Sequence, residues 1–215
     1  MKKIPLLIIF VITLTLGVLA QFSFYLIDNF EDANITDNPR WWRFGDIKAE
    51  VVKNPKTIDR DLIAESCGEY ALNLSGQAKQ WYVGGIGSDV GVDGSRFSRF
   101  QVDIYGNKEY CGKLKIELFD DDNNNYSIEQ DTDNNYEPTS DDKWVAEVPV
   151  LGKGFTRISI PFSAFRDANP KVGDDVWNPN QEGGSGGLLK MQLVAIAGEP
   201  TGKVDFNIDN LLLTY

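Results

Sequence analysis

Short blocks in which apolar and polar residues alternate recur along most of the chain, each bounded by Gly, Asn, Asp or Pro. A period of two marks strands with one buried face. The pattern predicts strands at Phe22 to Ile27, Lys48 to Val52, Tyr70 to Leu74, Trp81 to Ile86, Arg99 to Tyr105 and Gly112 to Phe119. Further strands are predicted at Tyr126 to Glu129, Trp144 to Val150, Thr156 to Pro161, Leu189 to Ala197 and Val204 to Thr214. No stretch keeps a 3.6-residue period beyond a turn or two. Without helical spacers a parallel βαβ architecture is excluded, and an all-β fold is expected: a two-sheet antiparallel β-sandwich of the jelly-roll type.

The first twenty residues break the pattern. Two lysines precede an apolar run from Ile4 to Ala20 that ends in Val-Leu-Ala, which predicts a secretory signal peptide over residues 1–20 cleaved after Ala20. The competing reading is an uncleaved anchor. Cleavage leaves Gln21 to Tyr215 as one module with no internal repeat, secreted or held at the cell surface, with no membrane partner. Its 19 basic and 32 acidic side chains give a net charge of −13. That field repels nucleic acid and leaves cations and neutral polymers as partners.

Histidine is absent, so Ser-His and Cys-His nucleophiles are excluded and any catalysis would fall to carboxylates. A jelly-roll glycosidase would show two carboxylates at strand spacing. Glu117, Asp120 and Asp122 come closest, but Asp120 and Asp122 fall in a turn, so no enzyme is expected. Cys67 and Cys111 are the only thiols, and an even pair in an exported chain predicts a disulfide, with two separate buried thiols as the alternative.

The most acidic stretch, Asp120 to Pro138, holds seven acidic residues and five asparagines without one basic residue. As an EF-hand loop it fails, with Asn125 where Gly is required, Asp131 where Glu is required, and strands for flanks. Asp120 to Asn125 is expected instead to be a hairpin tip, and the segment after it a rim for a ligand face. The longest loop, Asp167 to Gly187, carries Trp177 among Asp, Asn, Pro and Gly, where exposure is expected. Its alternative is a plug over the core.

Ile27-Asp28-Asn29-Phe30-Glu31-Asp32, followed by Trp41-Trp42, stands near the start, and Phe206-Asn207-Ile208-Asp209-Asn210-Leu211 near the end. First and last strands of a sandwich are commonly neighbours, so Glu31 and Asp209 could meet, and two such carboxylates select Ca²⁺. With Ile158-Ser159-Ile160-Pro161-Phe162-Ser163-Ala164-Phe165 between them, these motifs resemble the family 11 carbohydrate-binding modules and their relatives with a galactose-binding-like jelly roll. The resemblance implies a structural calcium held by Glu31 and Asp209, with Asp28 and Asp32 as helpers. It also implies a concave sheet face where aromatic rings stack on pyranoses and carboxylates or amides bond the hydroxyls. The aromatic candidates are Trp81, Tyr82, Trp144, Trp177 and Tyr126, with Tyr136 next to them. The strand Gln192 to Ala197 departs from the family in carrying no aromatic residue. The implied function is a secreted, non-catalytic module that binds a polysaccharide. A surface or matrix protein that self-assembles is the alternative, and a jelly-roll glycoside hydrolase the second.

Overall fold

The structure, a computed structural model, describes residues 24–54 and 68–215, apart from the side chains of residues 108–110 and 153. The expected signal peptide over residues 1–20 and Cys67 lie outside the described residues; Cys111 is buried. Among the described residues twelve strands follow one another: β1 Tyr25–Asp28, β2 Trp42–Gly45, β3 Lys48–Lys53, β4 Tyr70–Gln77, β5 Tyr82–Val92 and β6 Arg99–Asp120. Then come β7 Gln130–Asp131, β8 Glu137–Pro138, β9 Lys143–Pro161, β10 Arg166–Asp167, β11 Leu188–Ile196 and β12 Lys203–Thr214. All pairings are antiparallel.

The expected sandwich is present, and β6 and β9 join its two layers. They pair along their length, from Arg99 opposite Pro161 to Phe119 opposite Lys143. The first half of β6 also pairs with β12, whose other neighbours are β4 and β1; its second half pairs with β11, which leads on to β5 and β2. The passage from one layer to the other falls where the register shifts around Tyr110. There Gly106 is so close to the facing strand that an added Cβ would lie 2.6 Å from the Gly152 carbonyl, and Gly112 has φ +102°. Only glycine allows both.

The core lies between the layers. Leu114, Ile116 and Leu118 of β6 meet Met191, Leu193 and Ala195 of β11, while Leu72, Leu74, Phe100, Val102, Phe206 and Ile208 come from the other layer, all buried. Each large side chain removed from water contributes about 1.5–3 kcal/mol. The alternate residues of β11 and of β6's second half face outward, and that face carries the site.

Four expectations are corrected. Arg99 to Tyr105 and Gly112 to Phe119 form one strand, as do Trp144 to Val150 and Thr156 to Pro161, because the glycines between them bend the chain without ending its pairing. Trp42–Gly45 is an additional strand, four residues long, paired with β5 from Trp42 opposite Gly87 to Gly45 opposite Gly84. Asp120 to Asn125 is not a hairpin tip and Tyr126 to Glu129 is not a strand, since β6 returns as β9 and residues 121–142 form a long excursion carrying the small β7–β8 ribbon. Its amides bond to side chains instead of to a neighbouring strand: Asn125 N and Tyr126 N donate to Asp121 at 3.3 and 3.1 Å, and Asp133 N donates to Asp131 at 2.9 Å. Such local bonds compete with a ladder and win here.

Candidate functional site

The outer face of the layer β2-β5-β11-β6-β9 forms a cleft of about 920 Å³. Trp42, Phe44 and Tyr82 line one side, Gln192 and Val194 the middle, and Lys115, Glu117, Phe119 and Lys143 the other side. The excursion after β6 supplies a wall with Gln130, Thr132, Asn135, Tyr136 and Glu137. The aromatic side exists because β5 lacks side chains beneath it. A Cβ on Gly87 would lie 2.5 Å from the Trp42 ring, and one on Gly85 would lie 2.6 Å from the Phe44 ring. Glycines at i and i+2 strip one strand face, so the two rings settle onto the backbone of the sheet.

Polar groups stand opposite the rings. Lys115 Nζ and Glu117 Oε1 are 2.6 Å apart, with the glutamate nearly buried. Lys143 pairs with Glu137. Lys190 Nζ lies 5.9 Å from the Trp42 ring centre and 5.8 Å from that of Phe119, and donates to Gln130 Oε1 at 3.1 Å. Burial lowers the pKa of this ammonium from its ordinary value. The cleft therefore offers flat apolar faces beside acceptors and donors, the two kinds of partner a sugar ring needs.

Of the aromatic residues singled out in the sequence, Tyr82 lines this cleft, as does Tyr136. Trp81 is half exposed beside Tyr82 on a backbone with φ +75° and does not line it. Trp144 and Trp177 pack against the core, edge to face at 5.9 Å, and Trp177 also meets Phe162 at 4.9 Å, so the loop tryptophan is a plug. Tyr126 is exposed and borders a separate recess of about 350 Å³ with Asp89, Gly91, Leu189 and Lys190. Trp42, Phe44, Glu117, Lys115 and Gln192 were not singled out as binding residues. The available signal was Gly-Gly-Ile-Gly at 84–87, whose stripped face demands something to cover it.

The first and last described strands do meet, since β1 pairs with β12 from Tyr25 opposite Leu213 to Asp28 opposite Leu211. Asp209 is fully buried and accepts from Asn210 N at 2.7 Å and Asn54 Nδ2 at 3.4 Å. Burial pushes its carboxyl up to about 8, and the charges of Asp103 and Glu31 add to the rise. Glu31 accepts from Glu69 N and Tyr70 N, both at 2.9 Å, and fills the space where Gly68 would carry a Cβ. Asp28 is occupied differently, since its two oxygens accept from Phe30 N and Trp41 Nε1, each at 2.7 Å.

A second group of carboxylates gathers where β6 ends and β9 begins. Asp120, Asp122 and Asp142 bring oxygens within 4.8 Å of one another and could hold a metal ion. Burial, with mutual repulsion behind it, pushes Asp120 up to about 8, Asp142 to about 7 and Asp122 to about 6. Neighbouring Asp141 is raised to about 7 for the same reasons. Sequence reading placed the first two residues in a local loop and had no means of bringing Asp142 to them.

No protein-family model matches the chain, and no curated protein does. Solved structures match it along most of its length. A family 11 carbohydrate-binding module from Clostridium thermocellum, solved in complex with a β-1,3-1,4-mixed-linked tetrasaccharide, superposes with a TM-score of 0.53 at 15% identity, covering 88% of this chain and 94% of that one. The family 11 module of the cellulosomal cellulase Lic26A-Cel5E from the same organism gives 0.51 at 17% identity over 89% and 94%. The fold is that of the family 11 carbohydrate-binding modules. At such identities the shared property of this family 11-like sandwich is its architecture, and what its cleft does must come from the cleft's own residues.

Proposed function

We propose that this chain is an exported, non-catalytic carbohydrate-binding module that lays a polysaccharide strand across the outer face of its β2-β5-β11-β6-β9 layer. One observation carries this reading: Trp42, Phe44 and Tyr82 form an aromatic side facing Glu117, Lys115 and Gln192 in a single open cleft. The rings take the C–H faces of pyranoses, while Glu117 accepts from hydroxyls and Lys115, Lys143 and Gln192 donate to them. An open groove leaves much hydroxyl hydration to be replaced, so the affinity is modest. The mixed-linked glucan bound by the structurally similar module makes such glucans the first ligands to try, beside xylans and mannans. Affinity electrophoresis in gels cast with each polysaccharide tests the reading: one glycan retards the chain, and equal mobility in every gel would reject it.

A structural calcium between Glu31 and Asp209 belongs to the same reading. What supports it is that Asp209 is a fully buried carboxylate whose pKa is raised by burial and, behind that, by the negative charges of Asp103 and Glu31. A bound Ca²⁺ would supply the missing counter-charge where the chain's ends are joined. Asp28 acts beside it as the acceptor that fixes Trp41. For export, the mature product begins at Gln21, which its intact mass would reveal.

A second reading is self-assembly through β1, whose exposed Tyr25 and Leu26, with Phe24 before them, lie beside β12. Sedimentation velocity separates the two: a concentration-dependent oligomer abolished by Leu26→Lys favours assembly, and a monomer that binds glycan favours recognition.

A further inference from the structure

The carboxylates at the β6–β9 junction stand apart from the cleft floor and from the chain ends. Asp120 closes β6, Asp122 follows, and Asp142 precedes β9, so strand pairing brings together residues about twenty positions apart in sequence. Backbone amides orient them. Asp142 N donates to Asp122 Oδ2 at 2.8 Å, and Val176 N donates to Asp142 Oδ2 at 3.1 Å. Asp120 accepts from Trp144 Nε1 and Asn178 N, each at 3.0 Å.

Those bonds leave Oδ1 of Asp122 and Oδ1 of Asp142 buried and accepting no hydrogen bond from any described residue. Asp142 as a whole is 0% exposed. Gly173, at φ +74°, shows where the unused oxygen points: a Cβ there would lie 2.4 Å from Asp142 Oδ1 and 2.3 Å from Asp122 Oδ2. The two carboxylates thus converge on one space. Among the described residues, no lysine or arginine forms an ion pair with any of the three. An ionised oxygen buried without a partner is strongly unfavourable unless a cation meets it.

We propose that Asp120, Asp122 and Asp142 form a calcium site, distinct from Glu31 and Asp209, that ties the end of β6 to the start of β9 and to the loop between β10 and β11. Every donor is a hard oxygen, and neither histidine nor thiolate belongs to the set, which disfavours zinc and copper. Calcium accepts oxygens at about 2.3–2.6 Å in irregular arrangements, so ligands on opposite sides of the ion stand roughly 5 Å apart, in keeping with the 4.8 Å limit of this group. Magnesium requires a tighter octahedron and retains its waters. The site adjoins the cleft in sequence, since Phe119 precedes Asp120 and Lys143 follows Asp142. The ion would brace that end of the cleft.

Terbium, a luminescent stand-in for calcium, tests the proposal, because the Trp144 indole bonded to Asp120 can sensitise it. Tryptophan excitation is expected to give terbium emission that calcium chases at least tenfold better than magnesium. Asp209→Ala keeps that emission. Asp142→Asn and, separately, Asp122→Asn lose most of it, and Trp144→Phe dims it while calcium uptake in equilibrium dialysis persists. Should Asp142→Asn fail to give a cooperative melt, Asp122, the least buried of the three, decides the matter. Emission unchanged in Asp122→Asn, or lost only in Asp209→Ala, overturns the site. Equal displacement by magnesium overturns its assignment to calcium.

Discussion

Asp28 shows how a single buried carboxylate can hold local structure at a cost that depends on pH. Its oxygens fix Phe30 and the Trp41 indole, while burial pushes its pKa from 3.8 up to about 6, against the pull of those two bonds. Because the folded value is raised, the stability this group contributes is complete below about pH 4 and is lost as the pH rises through about 6. Asp28→Asn cannot accept both bonds and should lose about 1–3 kcal/mol. Thermal melts from pH 4 to 7 should show the gap between wild type and variant narrowing as pH rises; a constant or widening gap would contradict the assignment. The motif around Asp28 was legible in sequence, but its role was not, because a carboxylate beside Phe-Glu reads equally as a metal helper. The difference lies with Trp41, thirteen residues away.

At the level of elements, alternation located most strands and the sandwich they form, since a period of two follows directly from one buried face. It missed β2, β7, β8 and β10, whose two to four residues are too few to show a period, placed a strand at Tyr126 to Glu129 where none forms, and divided β6 and β9 at glycines that bend a strand as readily as they end one. Two elements carry predictions. Gly87→Ala places a methyl group against the Trp42 ring, so the ring must lift from β5. Overpacking of this kind typically costs about 1–3 kcal/mol. The variant should melt cooperatively yet bind its glycan at least tenfold more weakly, with a shifted tryptophan emission; unchanged affinity would show that Trp42 does not need the glycine face. Across the β6–β9 ladder, Arg157 makes two 2.8 Å bonds to the fully buried Asp103. Removing the guanidinium takes away two charge-assisted bonds while Asn210 Nδ2 still donates to Asp103 at 3.0 Å, so Arg157→Met should lower the unfolding free energy in urea by about 1.5–3 kcal/mol.

For the whole molecule, buried carboxylates gather in two places, Asp28, Asp103 and Asp209 around the paired β1 and β12 and Asp120, Asp121, Asp141 and Asp142 at the β6–β9 junction. Chelation should therefore lower the melting temperature, and Asp209→Ala and Asp122→Asn should each remove only part of that drop. An unchanged melt in EDTA would dismiss both ions. The seam was readable because it depends on the first and last strands, whereas the junction required a pairing that no local pattern reveals. The lining of the cleft was readable only in part: Tyr82 was singled out and lines it, Trp42 read as core or edge packing because sandwich cores use large aromatics freely, and Trp144 and Trp177 lie partly buried against the core instead. The central claim is that a glycan lies against Trp42. Calorimetric titration of the calcium-loaded protein with soluble mixed-linked β-glucan, xylan and mannan oligosaccharides tests it most directly. At least one should release heat with wild type and with Trp81→Ala, and lose about tenfold or more in affinity with Trp42→Ala; no heat from any of them, or a loss confined to Trp81→Ala, would contradict the account.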